Sequence, residues 1–288
     1  MVWLPRWGCD GMITSAQKMM MARAGVPGGP VGWSDPDLSA ASYDSVSFSV
    51  TDTIPTGLFF KPDGSKMYYS GNGSDKVYEY NLSSPWNLST LTLNQDFTFS
   101  HIGPTDLWFT PDGSKLYVTD NNTDLVYEYP LTTSWDISTI NGAGVTTLDV
   151  SSQTGTPQGL YVSEDGTHLY VCDRTNGRVL QYDMSSSFDI STATLVNNVS
   201  VSAESALIQA VFFNPDGTKF WWVSDSTDLV YQYGLSTAWD ITSASYDSVS
   251  FSVATQEGVP LGLSFKADGS KMYIIGSATD ALYQYTSA

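Results

Sequence analysis

Carboxylates and indoles are the side chains of this 288-residue sequence whose types and spacing could do chemistry. Asp75, Asp124, Asp228 and Asp280 recur at matching places, near Asn72, Asn121, Asp173, Arg174 and Asp225. Such a set would hydrogen-bond sugar hydroxyls or hold calcium, or else satisfy the backbone groups of a turn. Trp86, Trp135 and Trp239, with Phe188 in the same register, would serve as stacking platforms for a sugar if exposed. The favoured alternative is a wedge between structural units, the following Asp or Asn capping a short turn. Asp52, His101, Glu204 and Glu257 occur once each and would be the acid–base or metal set of an enzyme; otherwise they are loop residues. No nucleophile elbow, phosphate loop or zinc motif is present. Asp120 to Asp124 has the acidic start of a calcium loop but lacks the distal Glu.

A catalytic acid and base occur once each, whereas most carboxylates here repeat. Asp63, Asp112, Asp165, Asp216 and Asp268 all sit in one motif, preceding Gly64, Gly113, Gly166, Gly217 and Gly269. Symmetry of this kind marks scaffolding or multivalent binding. The expectation is therefore no enzyme, no catalytic residue and no resident metal, with calcium the one cofactor to consider.

The elements that carry these residues repeat at a period of about 50 residues. Each repeat opens with a short apolar strand and a tight turn, as in TGLFFKPDGSKMYYS from Thr56 and TDLWFTPDGSKLYVT from Thr105. The Pro-Asp-Gly turn presets φ with Pro, bonds its own backbone with Asp and supplies positive φ with Gly, a strong hairpin signal. A second turn carries the Asp75 set. A third strand follows, KVYEY to Tyr80 and its equivalents ending at Tyr129, Tyr182, Tyr233 and Tyr285. A polar connector with the Trp86 set leads to a fourth strand, which the fifth repeat lacks.

Ala-Ser-Tyr-Asp-Ser-Val-Ser-Phe-Ser-Val occurs twice, at Ala41 to Val50 and at Ala244 to Val253. Its alternation has the period of a half-buried strand. The early copy supplies what the fifth repeat lacks. The expected fold is all-β, a five-bladed β-propeller of four-stranded blades, its ring closed by Ala41 to Val50.

The net charge of −18 argues against nucleic acid or anionic membrane surfaces as partners. Residues 1–36 stand apart, with Arg6, Lys18 and Arg23 against Asp10 and Asp35. Thr14 or Ser15 would cap a short helix stopped by Gly25, and no secretory signal or membrane span is read there. Met19, Met20 and Met21, with Trp3, Trp7 and Trp33, suit docking onto another protein. The expected division is an anchoring or assembly arm over 1–36 and the propeller over 37–288. Cys9 and Cys172 read as free thiols.

The motif G-L-x-F-x-P-D-G-[ST]-K-[ML]-Y followed by V-Y-x-Y resembles YVTN/NHL-like propeller repeats, over Asp37 to Ala288. The connector S-x-x-W-[DN]-[IL]-[ST] is similar to repeats of virion and tail-associated proteins of bacteriophages, particularly marine ones. Repeat three departs from the pattern at Glu164, His168, Gly177 and Leu180. The resemblance implies a non-enzymatic virion structural protein, assembled in the host cytoplasm, such as a capsid decoration, head spike or tail-associated adhesion module. Its propeller would face outward, with residues 1–36 docked on other virion proteins and a host-surface glycan as a further partner. The alternatives are a lectin-like carbohydrate-binding propeller and, third, a glycoside hydrolase or metal-dependent lactonase, for which unique carboxylates would have to gather at the axis.

Overall fold

The computed structural model describes residues 32–100 and 103–287. The first elements of the described residues are a 3₁₀ turn at Leu38–Ala40 and strand β1 (Ser42–Ser49). Blade 1 comprises β2 (Pro55–Phe60), β3 (Lys66–Gly71), β4 (Lys76–Leu82) and β5 (Leu91–Thr98). Blade 2 comprises β6 (Pro104–Phe109), β7 (Lys115–Asp120), β8 (Leu125–Pro130) and β9 (Thr146–Asp149). Blade 3 runs through β10 (Pro157–Val162), β11 (His168–Asp173), β12 (Arg178–Met184) and β13 (Ala193–Ser200). Blade 4 has β14 (Ile208–Phe213), β15 (Lys219–Ser224), β16 (Leu229–Leu235) and β17 (Ala244–Ser252). The fifth adds β18 (Pro260–Phe265), β19 (Lys271–Gly276) and β20 (Ala281–Thr286).

Every sheet is antiparallel and has four strands, and the fifth is ordered β1-β20-β19-β18. The chain is thus an all-β propeller of five four-stranded blades, closed as the duplication implies. Tyr43 faces Tyr285, Val46 faces Gln284 and Phe48 faces Leu282. Both copies of the decapeptide also make the same bulge, with Ser45 at φ 59° and Ser248 at φ 60°. One sequence adopts one irregular shape in two blades because its surroundings are equivalent.

Closure reaches further upstream than the strand. Asp37 accepts from Ser39 N and caps the Leu38–Ala40 turn, as Asn87, Asp136, Asp189 and Asp240 cap the corresponding turns of the other blades. Ser34 N donates to the Asp268 carbonyl at 3.1 Å, and Asp35 pairs with Lys219 at 3.2 Å. Residues from Trp33 onward therefore complete the connector of blade 5.

The core lies between blades. Its largest fully buried side chains include Trp221, Trp222, Tyr68, Tyr117 and Tyr170. Buried tyrosines finish their hydrogen bonding across the blade boundary: Tyr68 to the Trp135 carbonyl, Tyr117 to that of Phe188 and Tyr170 to that of Trp239, each at 2.7 Å. Cys172 is a buried free thiol. Among the described residues no helix is long and apolar enough to cross a membrane.

Candidate functional site

Five inner strands, β2, β6, β10, β14 and β18, surround the axis, and their third residues are Gly57, Asp106, Gly159, Ala210 and Gly262. Small residues are needed there because the backbones converge. A Cβ on Gly262 would lie 2.1 Å from the Thr56 carbonyl oxygen, and one on Gly159 would lie 2.6 Å from Ala210 Cα. Blade 2 breaks the rule with Asp106. A Cβ on Gly57 would lie 2.2 Å from Asp106 Oδ1, so the carboxyl occupies the space its neighbours leave empty.

Asp106 is 5% exposed. Its Oδ1 accepts from Leu107 N and its Oδ2 from Leu160 N, both at 2.8 Å, and Leu58 N also bonds it. One side chain thereby joins blades 1, 2 and 3. Burial pushes its pKa up to about 7, and the N–H groups of Leu160, Leu107 and Leu58 oppose that rise only in part.

Above this floor the axis widens into a funnel of about 650 Å³, opening between the Pro-Asp-Gly turns and the connectors. Its wall is a belt of residues from the inner strands: Phe59, Trp108, Tyr161, Phe212 and, in blade 5, Ser264. Neighbouring rings meet edge to face: Phe59 and Trp108 at 6.1 Å, Trp108 and Tyr161 at 6.4 Å, Tyr161 and Phe212 at 5.5 Å. Trp33 stacks on Phe212 at 6.1 Å and an interplanar angle of 18°. Trp33, one of the side chains assigned to the assembly arm, lines the funnel.

The connector aromatics Trp86, Trp135 and Trp239 also line the mouth. Each is half-buried, has positive φ (63°, 65° and 63°) and lies over its blade's turn glycine. A Cβ on Gly64 would lie 2.2 Å from Trp86 Nε1. Trp135 stacks on Phe59 of the preceding blade at 6.2 Å, and Phe188 on Trp108 at 6.3 Å. These rings are wedges between blades whose edges reach the cavity.

Asp75, Asp124, Asp228 and Asp280 are on the opposite face, in the turns joining the second and third strands of their blades. Their φ values of 57°, 56°, 53° and 52° are left-handed, and Gly177 at φ 58° takes the place in blade 3. Their carbonyls accept from Phe99, Val150, Val253 and Val50, which fixes the outer strands. They are turn residues one per blade and do not converge. Among the described residues no group of three or more His, Cys, Asp or Glu is placed to hold a metal ion.

Of the once-only loop residues, Asp52, Glu204 and Glu257 are staples. Buried Asp52 accepts from Ile54 N at 2.9 Å and from Gly73 N at 3.2 Å, and Glu257 accepts from Val259 N and Ala278 N, both at 2.9 Å. Glu204 bonds the Tyr233 hydroxyl. His101, Trp3, Trp7, Met19, Met20, Met21 and Cys9 lie outside the described residues. Asp106, which sequence reasoning did not single out, is the carboxyl at the axis. Its signal was present: it stands where Gly57, Gly159 and Gly262 do in the aligned repeats.

No protein-family model matches the chain, and no curated protein matches it. Solved structures do. A "putative 6-phosphogluconolactonase" from Bacteroides fragilis is 13% identical with a TM-score of 0.50, over 80% of this chain and 65% of that one. A protein from Lactobacillus plantarum is 14% identical with a TM-score of 0.51, over 81% and 67%. A functionally unknown protein from Desulfotomaculum acetoxidans is 11% identical with a TM-score of 0.50, over 80% and 85%. This chain spans about two thirds of the Bacteroides protein's length, 65%. At these identities the likeness establishes the propeller architecture, and the activity in the name is that protein's own. The expectation of a non-enzymatic bacteriophage structural protein is corrected by these neighbours: the propeller with a functional name among them is named for a hydrolase, and none carries a virion name. The expectation that the chain is not an enzyme falls with it.

Proposed function

We propose that this propeller is a hydrolase of small esters, with lactones the first class to examine, acting in the axial funnel through Asp106. One observation carries the reading: a carboxyl buried at the floor of an aromatic cavity, at the one inner-strand position where an acid interrupts the repeat, and balanced near neutrality. A carboxylate offers about four lone-pair sites, and three N–H groups take three of them. One remains for a water. Ionised Asp106 takes a proton from that water as its oxygen adds to the ester carbonyl carbon. The acyl–oxygen bond then breaks, and the proton passes to the departing alkoxide, giving acid and alcohol, or one hydroxy acid from a lactone. The name of the Bacteroides propeller supports the choice of ring esters.

The lining selects against a phosphorylated substrate. Lys61 shares the lining with Asp63, Asp106, Glu164 and Asp165, and its ammonium is held by Asp63 at 2.7 Å. Hydrolysis of glucono-δ-lactone, 6-phosphogluconolactone and p-nitrophenyl acetate, followed by pH-stat, tests the reading. The unphosphorylated compounds are expected to turn over, with a rate that rises as pH passes about 7. Asp106→Asn should lower kcat by about 100-fold or more. Absence of turnover, or an unchanged kcat in a folded Asp106→Asn variant, would overturn it and leave Asp106 as a staple of three blades.

A further inference from the structure

The funnel combines aromatic walls with anionic floor and rim, more than ester hydrolysis requires. Phe59, Trp108, Tyr161 and Phe212 encircle the lumen, and Trp33 closes the side where blade 5 has only Ser264. Among the described residues Lys61 is the one cation of the lining, against four acids. Outside the lining Asp112, Asp216 and Asp268 continue the acidic collar along the hairpin tips. At Asp112 burial raises the pKa, yet hydrogen bonds from Thr110 and Ser114 bring it below the usual range, and at Asp268 burial is likewise outweighed by Lys266 and Ser270. A carboxylate or phosphate ligand would meet repulsion from floor to mouth, and a hydrocarbon would gain nothing from Asp106.

A cation already sits over a ring at the mouth. Lys61 Nζ sits 5.8 Å from the centre of the Trp135 ring while paired with Asp63. Ring faces attract ammonium groups through their quadrupole, and more strongly once water is excluded.

We infer that the funnel receives an organic ammonium ion, its cationic head among the belt rings and above the Asp106 carboxylate. This rests on the funnel as the ligand site and not on the hydrolytic step. If Asp106 is also the general base, the substrate class narrows to small esters that carry an ammonium group.

The test uses the full chain, titrated with tetramethylammonium and choline and, as the neutral isostere of choline, 3,3-dimethylbutan-1-ol, by calorimetry and tryptophan fluorescence. Choline is expected to bind at least tenfold tighter than its isostere, and tighter at pH 8 than at pH 6 as Asp106 ionises. Asp106→Asn and Trp108→Leu should each weaken choline about tenfold, while Trp108→Phe, which keeps a ring face, should hold within about threefold. Thermal melts establish that the variants are folded. Equal affinity for the isostere, no binding of either cation, or unchanged binding in Trp108→Leu would overturn the inference. Lactone hydrolysis without cation binding would sink this inference alone; cation binding without hydrolysis would sink the hydrolase alone.

Discussion

Asp106 couples the stability of the ring to pH in the direction opposite to Asp268. Its folded pKa, about 7, lies above the unfolded 3.8, so its contribution is complete below about 4 and is lost as pH rises through about 7. At Asp268 burial is outweighed by hydrogen bonds from Lys266 and Ser270, which hold the carboxyl at about 2. Its contribution is present above 3.8 and lost as pH falls toward 2. Urea midpoints across pH 4 to 8 should therefore decline toward the alkaline side, and Asp106→Asn should flatten that decline. A slope unchanged in the variant would show that other groups produce it. The identity of Asp106 as an exception was legible in the aligned repeats. Its burial was not, because a single polar residue in a strand reads as the water-facing half of an alternation until the neighbouring backbones are known to converge on it.

The third strands of blades 1, 2 and 3 fasten each of these to the blade that follows. Glu79 Oε2 accepts from Ile137 N at 3.2 Å, Glu128 Oε2 from Ile190 N at 3.1 Å, and Gln181 Oε1 from Ile241 N at 3.0 Å. Glu79 is fully buried and also holds Lys66, Asn94 and Gln95. Glu79→Ala removes the partner of that ammonium and of the Asn94 amide, leaving Gln95 only Asp136, and should cost about 3–5 kcal/mol in chemical unfolding. Glu79→Gln, which keeps the bond to Ile137, should cost less than half as much; equal losses would show that charge alone matters. Strands, turns and the period were readable because each follows from local pattern and turn chemistry. The fasteners were not, since they join residues of adjacent repeats with no periodic signature. Trp33 escaped for a related reason: Ser34, Asp35 and Pro36 separate it from the Asp37-Leu38-Ser39 cap, whereas Trp86 directly precedes Asn87-Leu88-Ser89.

At the scale of the whole molecule, the ring has one boundary where no covalent link helps, between β1 and β20. A chain starting at Pro55 would lose β1, the Leu38–Ala40 cap and Trp33 together, exposing the β20 edge and opening one side of the funnel. It should melt well below the full chain or associate through the bare edge, and a peptide covering residues 33–50 should restore both the melting temperature and the monomer. A truncated chain as stable as the parent would show that the four continuous blades hold the ring without their clasp.

The same boundary sets an order of events on the ribosome. β1 leaves the exit tunnel well before its partner at 281–286 is made, so at roughly 5–20 residues per second the strand waits on the order of 10 to 50 s without its mate. Throughout that interval the nascent protein carries a ready edge, and the finished β16 of a neighbour on the same message already accepts an identical decapeptide, Ala244 to Val253. Crowded translation should therefore be the circumstance in which molecules trade their first strands, and slower initiation the remedy.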